Sequence, residues 1–155
     1  MNDHDAVTSV DHSGLLVDEL ALETCYERLR TATIGHLGVT VNALPVVVPV
    51  YFAVDGNSIV IRTSPGTRLS AAVNEAVVAF EVDHYDTDED QGWSILVQGR
   101  AREITTSARL ERARSLHIGS LTEPSVADRF IAVEMDIVTG RTIEQIRSGT
   151  NLSHP

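Results

Sequence analysis

The chain contains no lysine. All 12 of its basic residues are arginines, set against 22 acidic residues for a formal net charge of -10. A surface of that sign repels polyanions, so nucleic acid and anionic membranes are poor partners, because backbone-phosphate binding draws on a basic face. Cysteine is almost missing too. Cys25 stands alone, which excludes an internal disulfide and a multi-cysteine zinc site. No apolar run approaches the ~20 residues that cross a bilayer. The opening Met-Asn-Asp-His-Asp has no basic stretch leading into an apolar one, so no signal peptide is expected and a cytoplasmic location is. The six histidines, His4, His12, His36, His84, His117 and His154, show no paired metal-ligand spacing, and no metal site is expected from them. There is no Gly-x-Ser-x-Gly elbow, which argues against a hydrolase triad built on Ser94, His84 and Asp83.

What is present is a β-patterned chain of one domain's length, 155 residues with 43% hydrophobic content. Residues 1–16 are mostly polar and read as a mobile arm, 17–147 as the folded domain, and 148–155 as a frayed tail. Leu20, Leu22, Cys25, Tyr26 and Leu29 recur at helical spacing, which predicts an amphipathic helix over about 18–30 with Cys25 as a packed small hydrophobe. Strands are expected at 34–40, 45–54, 58–62, 77–82 and 93–104. Pro49 lies inside the nearly all-apolar run Val46–Phe52, so a bulge or an unpaired edge is expected there. Asp55-Gly56 is a short-hairpin signal. Residues 84–92 read as an acidic solvated loop, and Gly99 as a bulge. A helix from Thr105 or Thr106 to about Leu116 follows, then a strand at 129–136, a turn at Thr139-Gly140-Arg141 and a last strand at 142–146. Hairpin connections dominate over βαβ alternation. The fold class expected is mainly β (α+β), an antiparallel barrel of six or seven strands with three short peripheral helices.

The most informative stretch is Ile59 to Ala72. A β-branched strand runs straight into Ser64-Pro65, a favoured N-cap followed by a favoured first helical residue, predicting a short helix over about 66–75. Helix N-termini attract anions through free N–H groups and a partial positive charge. Arg62, Thr63 and Arg68 add two guanidinium forks and a hydroxyl. In so acidic a chain, this reads as a phosphate cradle.

The order of Pro45-x-x-x-Pro49-Val50-Tyr51-Phe52, the Asp55-Gly56 hairpin, Arg62-Thr63-x-x-Gly66-Thr67-Arg68-Leu69, Phe80-Glu81-Val82-Asp83 and Gly92-Trp93-Ser94-Ile95-Leu96-Val97-Gln98-Gly99-Arg100-Ala101 resembles the pyridoxamine 5′-phosphate oxidase-like split β-barrel flavoproteins. It is most similar to the short actinobacterial-type branch, and the likeness spans about 18–146. The resemblance implies a six-stranded antiparallel split β-barrel forming a homodimer, with FMN in clefts at the subunit interface. It places Val47, Val48, Pro49 and Val50 along the flavin ring and Arg62, Thr63, Arg68 and Leu69 at the phosphate. Trp93 and Ser94 fall where a strand residue approaches the ring. Members of the branch also use the deazaflavin F420 or handle haem, and these are the alternative cofactors. The activity implied is a flavin-dependent oxidoreductase acting on a small molecule, the alternatives being an F420-dependent reductase or a non-catalytic flavin- or haem-binding protein. The residues that hold substrate phosphate in genuine pyridoxamine-phosphate oxidases have no counterpart here, and the sequence names no catalytic side chain and no substrate.

Overall fold

The computed structural model describes residues 9–10, 15–65, 73–120, 125 and 127–145. Among them, nine strands and two helices follow one another as β1 (Ser9–Val10), β2 (Leu15–Glu19), α1 (Leu22–Thr31), β3 (Ile34–Val41), β4 (Leu44–Asp55), β5 (Ser58–Thr63), β6 (Val77–Asp86), β7 (Gln91–Glu103), α2 (Ser107–Ser115), β8 (Arg129–Glu134) and β9 (Ile137–Gln145). Every ladder is antiparallel. Six strands close on themselves in the order β7-β6-β3-β4-β5-β8, with β8 returning to β7. The fold is therefore the split β-barrel, six strands in the ring, and β9, β2 and β1 extend it from β7. No helix of the described residues is long and apolar enough to cross a membrane.

Inward-facing Leu37, Phe52, Ile59, Ile61, Phe80, Ile95, Val97 and Val133 fill the barrel, each nearly or fully buried. A second cluster lies outside the ring under α2, where Val60, Ile104, Ala113, Ile118, Phe130 and Ala132 meet Tyr51 and Ala53. Strand alternation explains the division: odd and even positions of β5 serve the two clusters in turn.

Several elements differ from the sequence pattern, each for a tertiary reason. Leu15–Glu19 forms a strand rather than an arm leading into a helix. The open edge of β9 offers it a five-residue ladder, so pairing overrides local pattern, and α1 starts later. Residues 84–86 continue β6 because its ladder with β7 runs on to Asp86 and Gln91. The acidic loop shrinks to residues 87–90, where Asp86 Oδ1 accepts hydrogen bonds from the Asp88 and Glu89 amides. Thr139–Arg141 is not a turn. Gly140 lies within β9 because a Cβ there would stand 2.4 Å from Cys25 Sγ, so the glycine lets α1 approach the sheet. Gly99 is likewise a site of close approach. Its strand passes from pairing with β9 to pairing with β8, and a Cβ would fall 1.7 Å from the Glu134 carbonyl oxygen. The helix expected over 66–75 falls largely outside the described residues.

The β3–β4 hairpin turns through Asn42 and Ala43, both at positive φ (50° and 62°), the pattern of a two-residue primed turn. β4 pairs with β5 only over Phe52–Asp55, around the loop at Gly56-Asn57. The Phe52 amide donates to the Thr33 carbonyl on the β3 side. Alternation then turns the backbone groups of Pro45, Val47, Pro49 and Tyr51 toward the opposite edge. From Leu44 to Tyr51 that edge has no strand partner among the described residues, as Pro49 predicts.

Candidate functional site

The split in the barrel is the gap where β4 and β5 part. Their ladder stops at Phe52–Ile61; continued, it would set Val50 opposite Thr63. One wall is the free edge of β4. Prolines at 45 and 49 remove two of its donors, so this edge presents mainly carbonyl acceptors, with the Val47 N–H between them. It suits a ligand that donates hydrogen bonds, and it resists addition of another strand. Val47 is exposed, Val48 half-buried, Pro49 exposed and Val50 buried. The other wall is the end of β5. Thr63 is 7% exposed, and its Oγ1 has no hydrogen-bond partner among the described residues. Buried hydroxyls are normally paired, and one left alone costs about 1–3 kcal/mol. Thr63 leads directly into Ser64-Pro65. Arg68 and Leu69 lie outside the described residues.

Arg62 and Thr63, adjacent in sequence, point to opposite faces of β5. The Arg62 guanidinium turns away from the barrel interior toward Asp128. Nε donates at 2.8 Å and Nη2 at 2.5 Å to Asp128 Oδ2, while Nη1 donates to the Ile118 carbonyl at 3.2 Å. Asp128 also accepts the Ser125 amide at 2.9 Å. That amide, then the Arg62 hydrogen bond and charge, hold the Asp128 carboxyl below its usual range against the effect of burial. Arg62 thus fastens the 118–128 connection to the barrel. A cavity of about 360 Å³ lies beside it, lined by Arg62, Arg114, His117, Ile118, Asp128 and Phe130. Asp128 was not singled out from the sequence. The Ser125-x-x-Asp128 spacing, a local turn signal closed by Asp128 N–H to the Ser125 carbonyl, was the clue available.

Trp93 sits apart from this cleft within one chain. It pairs with His84 of β6 and Thr142 of β9, so β6 and β3 intervene before β4, about 14 Å at ~4.8 Å per strand. The Arg28 guanidinium from α1 stacks over its ring at 4.7 Å, and Arg28 Nη1 is buried with no partner among the described residues. Together with His84, Gln91 and Thr142 they line a cavity of about 390 Å³. Ser94, one position on, faces the outside of the barrel in register with Asp83 and Arg141. The outer face also carries Val47, Val77 and Ile137, 69%, 71% and 55% exposed, around a shallow groove over Gly38 and Ala79.

Residues 21–142 match the family described as Pyridoxamine 5′-phosphate oxidase. The uncharacterised protein Rv0080 of Mycobacterium tuberculosis is 32% identical over 133 residues, covering 80% of this chain and 84% of that one. Among solved structures, the FAD binding protein from Mycobacterium smegmatis superposes with a TM-score of 0.68 at 28% identity, covering 81% of this chain and 97% of that one. An FAD-binding protein from Mesorhizobium loti superposes with a TM-score of 0.68 at 24% identity over 85% of this chain and all of its own.

Proposed function

From a chain that belongs to the Pyridoxamine 5′-phosphate oxidase family, we propose a flavin-binding function, with FMN as the cofactor and a small molecule as substrate of a redox reaction. The observation that carries this reading is the buried, unpartnered Thr63 hydroxyl at the mouth of the split, beside a strand edge rich in free carbonyls. A flavin answers both needs. Its phosphate accepts from a hydroxyl, and its ring system offers an N–H to a carbonyl. The similarity to the FAD binding protein of M. smegmatis supports a flavin over other ligands. The charge of -10 favours FMN over F420, whose longer anionic tail would want basic residues beyond those of the motif.

In this reading Thr63 donates to the phosphate and, as the family resemblance implies, Arg68 supplies the charge. Arg62 stands on the other face of β5, where it fastens the 118–128 connection rather than the ligand. Val47 to Val50 lie along the ring, where the Val47 N–H and the carbonyls of Val47 and Pro49 orient it. A bound flavin supplies electron and hydride transfer, and this chain's residues bind it, orient it and keep water from the ring face that Val50 borders. Trp93, three strand positions away, reaches such a cleft only from a second copy. Together with the exposed Val47, Val77 and Ile137, this supports a homodimer.

The absorption spectrum of the purified protein, followed by titration with FMN, FAD, F420 and haem, tests the reading. The two visible bands of oxidised flavin, or saturable FMN binding, are expected. A protein that binds no flavin refutes it, and a Soret band in place of the flavin bands moves it to haem.

A further inference from the structure

Strand register assembles donors that sequence spacing does not announce. His36 on β3 stands directly opposite Glu81 on β6, and Asp83 follows two positions on, so all three share the outer face of the barrel. His36 Nδ1 lies 3.5 Å from Glu81 Oε2, and one donor atom from each of the three residues falls within 4.8 Å of the others. The β3–β6 ladder ends at His36–Glu81, so the cluster occupies the point where two strands part, open to solvent. Arginines elsewhere pair with Asp55, Glu75, Glu103, Asp128 and Glu134. Among the described residues, none lies within ion-pair distance of Glu81 or Asp83.

We propose that His36, Glu81 and Asp83 bind one divalent first-row transition-metal ion. One imidazole nitrogen and two carboxylate oxygens, with water completing the shell, suit zinc, manganese or ferrous iron. Bonds of about 2.1 Å at tetrahedral angles set ligand atoms about 3.4 Å apart, so side-chain rotations that move the donors by about an ångström close the set. His36 and Asp83 are exposed and free to make them. The bland competitor is a plain ion pair between His36 and Glu81, which makes no use of Asp83. The site shares no residue with the flavin cleft, and the proposal stands whether or not a flavin binds.

The test is calorimetric titration of the full chain, stripped with EDTA and dialysed, with Zn²⁺, alongside the thermal midpoint with and without the ion. One ion per chain is expected, with a raised midpoint. His36→Ala should abolish both effects, and Asp83→Asn should weaken binding at least about tenfold, comparable to or beyond the loss on removing an outer-sphere partner. His4, His12 and His154 near the termini are left intact in both variants and serve as the internal control. Zinc binding that is equal in wild type, His36→Ala and Asp83→Asn, or no binding by the wild type, overturns the proposal.

Discussion

Arg62 and Thr63 are neighbours in one strand and meet opposite fates. On the outer side of β5, the Arg62 guanidinium donates to Asp128 through two nitrogens and to the Ile118 carbonyl through the third. On the inner side, one residue on, the Thr63 hydroxyl is buried with no partner among the described residues. The charged group, the more conspicuous in sequence, is largely occupied in holding a loop to the barrel. The modest hydroxyl is the one left without a partner among the described residues. A satisfied buried charge reports architecture, whereas an unsatisfied buried polar group asks what is meant to satisfy it.

The comparison can be broken from either side. The largest effect should come from Asp128→Ala, which strands the Arg62 charge and releases the Ser125 amide. We expect a loss of about 3 kcal/mol, the lower end for breaking a buried pair because Arg62 is partly exposed, and a midpoint lower by about 6–12 °C. The FMN affinity of the folded fraction should not move. Thermal denaturation with a parallel FMN titration checks both. Arg68→Ala should do the reverse, weakening FMN by about 1.5–3 kcal/mol, roughly 10–150-fold, with stability within about 0.5 kcal/mol of wild type. Thr63→Val sharpens the contrast further. Removing an unpartnered hydroxyl should leave stability unchanged or raise it by about 1 kcal/mol, while FMN affinity falls about fivefold.

Acidity gives the gentlest probe. The Asp128 carboxyl titrates below its usual range in the folded protein. Its contribution is therefore fully present above the unfolded value near pH ~4, and it is lost as pH falls through the lower folded value. Stability measured by denaturant between neutral pH and pH ~3 should decline less steeply at the acid end in Asp128→Asn than in wild type. Parallel declines would mean that Asp128 is not held by Arg62 and Ser125.

Local chemistry made much of the barrel readable from sequence. Apolar, β-branched runs marked β3 to β5, the Asp55-Gly56 pair marked a hairpin, and Pro49 marked a bulge or an unpaired edge; it is the edge, because the side of Pro49 that lacks a donor faces away from β3. The places that misled share a cause: glycine and apolar residues there serve distant neighbours. Gly140 looked like a turn and is a space for Cys25. Gly99 looked like a bulge and clears the Glu134 carbonyl. Leu15 and Leu16 looked like the end of an arm and pair with the edge of β9. The site followed the same rule. Val47 to Val50 and Thr63 border one cleft, while the period of two that makes β5 a strand puts Arg62 and Thr63 on opposite faces. The His36, Glu81 and Asp83 group had no sequence signature at all, because register between β3 and β6 creates it.

The central claim is that the split recognises the phosphate end of a flavin. Parallel fluorescence titrations of the purified chain with FMN and with riboflavin, which lacks the phosphate, test it most directly. Phosphate recognition through Arg68 and Thr63 predicts that FMN binds at least about 100-fold more tightly than riboflavin, or about 2.7 kcal/mol. Equal affinity for the two, or no saturable binding of FMN, would contradict it.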